Sequence, residues 1–597
     1  MKKGRRESRR DGAITSLSLT EQPVASHRQV GTGVPLPSRR WTVHGDMGWR
    51  TRCDRIELAT TFFGRIWNRP RAGRVSRDIE IATKLQEKQR QMHEYRSADN
   101  APPPDRFQAV FPSLSRLAGQ KPLRSIVRRG RNAWRTGVAD EATFLIDGQA
   151  YFSALDDALG RAQREIWIIG WDFNPDIRLR PKSSTETLGE RLLSLVDNLP
   201  QLRVRILVWG MGPIYSGKSL RLFRQSPISR HPQISLTFDF KHPLRACHHQ
   251  KLVSIDGSVA FMGGIDLTAR RWDESDHRSA NPLRLSPDGT PYPPVHDVQC
   301  LVSGEVAGMI RDVARRRWKR ATSENVSSEI DATIIRPALA ADMVQAPAAI
   351  ALTEPGLIGK RGRYEARRLT RDAIAAAKRY IYVETQYLAS AGVCRALARR
   401  LKEQNGPEIA VIVTKTSHGW IEKFTMGSNR DRLIRRLKRA DWFDRLKVMY
   451  AVTSDDNGGE EEITVHSKLI IIDDRFVRVG SSNLNNRSEG LDTECDLALE
   501  ADCAAHKEAI TSLRHRLIAE HLGATAAEVR EVEKSRSMLE AIAALNTRER
   551  CLREYEVDPD CSETSLLPGS ALVDPRRPYW PLQKLRLRLG RFLATLV

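Results

Sequence analysis

Two short stretches of this chain carry residue types suited to work on a phosphodiester: His249 and Lys251 followed by Asp256, and His466 and Lys468 followed by Asp473. Both fit the pattern HxKxxxxD. A phosphodiester anion repels an incoming nucleophile, so a site that cleaves one needs fixed positive charge and hydrogen-bond donors around phosphorus. Lys251 and Lys468 supply the charge. A neutral imidazole can attack phosphorus and form a covalent phosphohistidine. A second, protonated imidazole gives its proton to the leaving alcohol and later takes one from water. Two histidines therefore cover nucleophile, acid and base, and the chemistry requires no metal or other cofactor. We assign His249 as nucleophile and His466 as general acid/base, with the reverse assignment open because the two copies are nearly symmetrical.

One HxKxxxxD pattern would arise by chance in about a few per cent of chains this long, judged from average residue usage. Two in register would not. His249 pairs with His466, Lys251 with Lys468, Asp256 with Asp473 and Gly263 with Gly480, every pair separated by the same interval. The histidine and lysine of each copy alternate, which predicts that they leave one face of a strand together. After the first motif comes GGID and after the second GSSN, so Asn483, Ser481 and the backbone N–H near Gly264 are candidate donors to phosphate.

The elements that must position these residues recur as well. A helix-then-strand pattern lies in FLIDGQAYFSALDDALGRAQREIWIIGWDF, with a buried strand over 166–169, and again in RDAIAAAKRYIYVETQYL (371–388). Strand patterns follow at 202–210 and 408–416, and hairpin patterns at 252–262, turning at Asp256-Gly257, and at 468–480. A repeat this long indicates a duplicated domain rather than a solenoid. The predicted fold class is α/β: two similar α/β sandwich lobes, a pseudo-dimer in one chain, sharing one active site. Predicted boundaries are a basic, largely disordered extension at 1–105, a basic lead-in at 106–141, lobes at 142–340 and 341–530, and a C-terminal extension at 531–597. The join between lobes is expected within 331–353, where Ala and Pro accumulate.

The sequences HHQKLVSIDGSVAFMGGIDLTARRWD and VHSKLIIIDDRFVRVGSSNLNNRSEGLDTE resemble the paired motifs of the phospholipase D superfamily. The resemblance runs over roughly 142–525 and includes YVETQYL and LRHRLIAEHLG (513–523). Ser481 and Asn483 stand where the first copy has Gly264 and Asp266, departures the family tolerates. GGIDLTARRWD followed by YPPVHDVQC looks closer to phospholipases D than to short nucleases. The resemblance implies hydrolysis of a glycerophospholipid to phosphatidate and an alcohol, or transfer of the phosphatidyl group to an alcohol, as in cardiolipin synthase-like enzymes. It also implies a carboxylate on the second nitrogen of each histidine, pointing to Asp297 in VHDVQ and Glu494 in DTECD. Asp256 and Asp473 complete the motifs and are expected to hold the motif loops rather than to touch phosphate.

Charge bears on partners. The formal net charge of +23 is concentrated in residues 1–140 and 571–597, leaving the long middle nearly neutral. Basic ends suit an anionic phospholipid surface, which Ca2+ could help to bridge, while the neutral middle disfavours nucleic acid. The segment 578–597 has Leu582, Leu585, Leu589, Phe592, Leu593 and Leu596 on one helical face and basic residues off it, the pattern of an interfacial helix. No obligate protein partner is implied. No apolar run approaches the ~18 residues of a membrane span, and no secretory leader is readable, so the expected location is cytoplasmic or peripheral to a membrane, with export by a leader-independent route left open. His242, His248, His277 and His296 are read as packing residues. A zinc set of His242, Cys247 and His248 fits no common spacing. The long loop 273–294 is read as an active-site flap, and 417–427, with Trp420 and Phe424, as a lipid contact or a helix start.

Overall fold

The structure is a computed structural model that describes residues 125–557 and 574, apart from 213–225, 331–334, 357–360, 417–427 and 456. The N-terminal extension, most of the lead-in, the 417–427 segment and the 578–597 tail lie outside the described residues.

The first lobe contains β1 (Arg135–Ile146), α1 (Asp147–Leu159), β2 (Glu165–Gly170), α2 (Leu188–Asn198), β3 (Arg203–Trp209), β4 (Ile234–Asp239), β5 (Leu252–Ile255), β6 (Val259–Gly263), β7 (Val295–His296), β8 (Val298–Ser303) and α3 (Glu305–Thr322). The second contains β9 (Met343–Glu354), β10 (Arg363–Tyr364), α4 (Glu365–Ala376), β11 (Tyr380–Thr385), α5 (Ala391–Leu401), β12 (Glu408–Val413), α6 (Ser428–Ala440), β13 (Leu446–Ser454), β14 (Glu460–Glu462), β15 (Thr464–Val465), β16 (Lys468–Ile472), β17 (Phe476–Gly480), α7 (Asn486–Gly490), β18 (Glu494–Glu500) and α8 (Ala504–His521). After it come α9 (Ala526–Glu533), α10 (Met538–Leu545) and β19 (Cys551–Glu554).

Strand pairing makes the duplication visible. In the first lobe the order is β4-β3-β2-β5-β6-β8-β1, with β2, β3 and β4 parallel and the rest antiparallel. The second repeats it as β13-β12-β11-β16-β17-β18-β9. Antiparallel pairing of β1 with β9, from Arg135 against Ile350 to Ala142 against Met343, joins the two into one continuous sheet. One expectation needs correcting here. Order starts before Ala142, and Ala142–Ile146 extends a strand instead of opening the helix. The alanines of the 331–353 stretch belong mostly to β9, where they are buried between helices and the neighbouring strands.

The apolar runs of the strands follow from burial on both faces. Ile166 and Ile168 of β2 face α1 and α2, whereas Trp167 and Ile169 point into a core shared by α3, α8 and the inner strands of both lobes. Ile381 and Val383 of β11 pack under α4, α5 and α6, while Tyr380 and Tyr382 enter the shared core. At the tips of the β5–β6 and β16–β17 hairpins, Asp256 and Asp473 adopt left-handed conformations, with φ of 50° and 52°. The Asp256 carboxylate accepts from the backbone N–H groups of Gln163, Arg164 and Glu165 at 2.7–2.8 Å. Asp473 does the same for Lys378, Arg379 and Tyr380 at 2.7–3.0 Å. Each carboxylate thus satisfies the donors where β2 or β11 begins, at the far end of the hairpin from the histidine. Asp473→Ala removes an acceptor from three N–H groups and is expected to cost about 2–3 kcal/mol. Thermal melting should show this loss, and the molecules that stay folded should keep the KM of the parent.

Candidate active site

Strands β5 and β16 begin beside the carboxyl ends of β2 and β11, where Leu252 faces Ile169 and Lys468 faces Thr385. That is the edge at which open α/β sheets present ligand sites. The histidines precede the strands instead of lying within them: His249 stands before Leu252, and His466 between Val465 and Lys468. Their backbones are held by the opposite lobe. His249 N donates to Thr493 O at 2.9 Å, and Thr493 N to Cys247 O at 3.0 Å. In the mirrored arrangement His466 N donates to His296 O at 2.7 Å, and β15 pairs with β7 in parallel.

Side chains cross in the same way. His249 Nδ1 lies 3.0 Å from Glu494 Oε2, and His466 Nδ1 lies 2.7 Å from Asp297 Oδ2. Each imidazole is therefore oriented by a carboxylate from the other lobe, which leaves Nε2 as its reactive nitrogen. Lys251 Nζ donates to His249 O at 3.0 Å and pairs with Asp266 Oδ2 at 3.2 Å. Lys468 Nζ donates to His466 O and lies 3.1 Å from His466 Nδ1.

Two of the three expected phosphate donors are placed differently by the structure. Ser481 Oγ donates to Glu494 Oε2 at 2.5 Å, and Ser481 N to Cys495 O. Gly264 N donates to Val298 O at 3.2 Å. Ser481 and Gly264 thus shape the carboxylates rather than the phosphate site. At Gly264 a Cβ would meet Asp297 Oδ1 at 2.1 Å, so only glycine fits there. In the other copy the hydroxyl of Ser481 fills that place and bonds the neighbouring glutamate. Asn483 remains a candidate donor; its side chain is buried and its Oδ1 has no hydrogen-bond partner.

Electrostatics set the resting protonation. Burial, then Lys251 and Lys468, holds the His249 imidazole well below its ordinary range. Burial and then Lys468, Arg271 and Lys251 do the same at His466. Both rings are neutral at pH 7, ready for attack. Burial lowers Lys468 to about 7, with Lys251 and Arg271 working against the ammonium and Asp297 for it, and burial raises Glu494 to about 7. A bound phosphate anion supplies the counter-charge that restores the ammonium and lets one imidazole take up a proton.

Residues missed in the sequence reading surround this centre. Glu384, inside the apolar run of β11, accepts from Tyr382 Oη at 2.6 Å and Ser467 Oγ at 2.8 Å and contacts His296 Nε2 at 2.9 Å. A carboxylate in a buried strand was its available signal. His248 bonds Asp239 and Thr493, and His242 bonds Trp209, so neither histidine joins Cys247 in a ligand set. The loop read as a flap is pinned: Asp273 binds Arg284 and His277, and Tyr292 Oη donates to Trp272 O.

Both lobes resemble known proteins in sequence. Residues 158–354 match the family model described as Phospholipase D, and residues 370–516 the one described as Cardiolipin synthase, PLD-like domain. Phospholipase D2 of Bos taurus is 23% identical over 459 residues, covering 58% of this chain and 48% of that protein. Phospholipase D A of Dictyostelium discoideum is 25% identical over 462 residues, covering 63% and 35%. The chain spans about half the length, or less, of these curated relatives. A solved phosphatidylserine synthase from Haemophilus influenzae aligns with 76% of this chain and 94% of its own, at 14% identity and a TM-score of 0.43. Tandem α/β lobes with paired HxKxxxxD motifs define a class of enzymes that cleave or transfer phosphodiesters. The chain belongs to the phospholipase D superfamily.

Two measurements probe the site. Asp297→Asn and Glu494→Gln should each lower kcat on a soluble diester by about 10³–10⁴-fold with little change in KM, because the wrong tautomer is stabilised. The pH profile of kcat/KM should fall as pH rises through about 7, where free Lys468 loses its proton. In kcat that limb should move to higher pH, since bound phosphate holds the ammonium.

Proposed function

We propose that this protein is a phospholipase D-type hydrolase that converts a glycerophospholipid such as phosphatidylcholine to phosphatidate and an alcohol. The observation that carries the reading is the pair of neutral, buried imidazoles, each backed by a carboxylate and flanked by a lysine. In the proposed cycle His249 Nε2 attacks phosphorus while protonated His466 gives its proton to the headgroup oxygen. Water, deprotonated by His466, then releases phosphatidate and restores His249. Lys251, Lys468 and the Asn483 amide stabilise the equatorial oxygens, and no step needs a metal. The names of the matched relatives support a lipid substrate. Phosphatidyl transfer is the second reading, favoured by the match of the second lobe to the model described as cardiolipin synthase, because an alcohol can take the place of water. A phospholipid surface is the proposed partner.

The test supplies phosphatidylcholine vesicles, phosphatidylcholine with excess primary alcohol, and single-stranded DNA to separate samples of the protein. Phosphatidate from the first is expected, and cleavage of DNA alone would refute the proposal. Acid quenching during turnover should trap phosphate on a histidine, with the label lost in His249→Asn and retained in His466→Asn.

A further inference from the structure

Behind the His466–Asp297 pair lies a second buried cluster that the proposed cycle does not use. One potential ligand atom from each of Asp147, His277, His296 and Glu520 lies within 4.8 Å of all the others. Their closest approaches are 2.6 Å for His296 to Glu520, 3.1 Å for His296 to Asp147 Oδ1, 3.1 Å for His277 to Glu520 and 3.6 Å for His277 to Asp147 Oδ2. Four donor atoms held about 2.0 Å from one tetrahedral ion stand about 3.3 Å apart, in the middle of that range. Asp147 Oδ2 is buried and makes no hydrogen bond.

The outer shell points the same way. Histidines that ligate a metal nearly always direct their other nitrogen to a carboxylate or carbonyl, which fixes the tautomer. His277 Nδ1 meets Asp273 at 3.0 Å, and His296 Nε2 meets Glu384 at 2.9 Å. Those carboxylates are held in turn, Asp273 by Arg284 and Glu384 by Tyr382 and Ser467. The residues come from α1, β7, the 273–294 loop and α8, so both lobes contribute.

We propose that Asp147, His277, His296 and Glu520 form a structural site for one divalent cation of the zinc class. Two neutral imidazoles and two carboxylates balance its charge, and the mixed nitrogen and oxygen set suits zinc better than calcium or magnesium. Four protein ligands in a buried cluster leave no place for substrate, so the ion fixes structure and takes no part in the phosphoryl transfer. Successive residues of an extended segment point to opposite sides. The ion therefore grips His296 on one side while Asp297 reaches His466 on the other, and it fastens the flap loop to α8. This inference stands independently of which diester is cleaved.

Elemental analysis of the full-length protein, expressed with added zinc and gel-filtered in the presence of a chelator, should find close to one zinc per chain. Asp147→Asn and Glu520→Gln should each lower that to below about a tenth, with circular dichroism reporting whether each variant is folded. His506→Ala, in the separate Asp502, Cys503 and His506 group, should leave the zinc content unchanged. Cobalt-loaded wild-type protein should show the visible absorption of a tetrahedral ion. Wild-type protein that holds neither zinc nor cobalt, even after refolding with each, would overturn the proposal and leave the imidazoles as protonated ion-pair partners. Zinc lost on His506→Ala, or kept in folded Asp147→Asn and Glu520→Gln, would overturn the ligand set.

Discussion

The reciprocal hold of each lobe on the other's histidine is the constraint on which the site depends. Glu494 of the second lobe orients His249, and Asp297 of the first orients His466. Backbone bonds from His249 to Thr493 and from His466 to His296 fix the same crossing in the main chain. Neither lobe can assemble a working imidazole alone. The β1–β9 pairing, which fuses the two sheets edge to edge, and the shared core under α3 and α8 keep the lobes in this register.

Burying so many ionisable groups is expensive unless each finds a partner, and the site meets this condition unevenly. The two imidazoles shed their charge, pushed by burial and by the lysines. Lys251 keeps a carboxylate neighbour in Asp266, whereas the matching position beside Lys468 is Asn483, which carries no charge. Burial, with Lys251 and Arg271 close by, destabilises the Lys468 ammonium. A phosphate anion bound beside Lys468 supplies a counter-charge that favours its ammonium form.

Small differences between the copies follow from the length of the orienting acid. Asp297 is short and presses against the backbone at Gly264, so no side chain fits there. Glu494 is one carbon longer and reaches His249 from further back, where the Ser481 hydroxyl can bind it. Two of the departures from strict repetition, Ser481 for Gly264 and glutamate for aspartate, are therefore one structural change in which the serine hydroxyl binds the glutamate. The loop 273–294 shows the opposite case: a segment without regular structure, pinned because Asp273, His277 and Arg284 satisfy one another inside the fold.

The sequence by itself determined the duplication, the strand and helix order around each motif, and the residues His249, Lys251, His466 and Lys468, because these signals are local: alternation, apolar runs and fixed spacing. It also pointed through family resemblance to Asp297 and Glu494. What it could not determine was which carboxylate serves which histidine, since the crossing joins residues 169 and 245 positions apart. Nor could it find that Ser481 and Gly264 serve the carboxylates, or that Asp147, His277, His296, Glu384 and Glu520 converge. Those facts arise only where the sheets meet edge to edge, because contacts between distant segments leave no periodic trace along the chain.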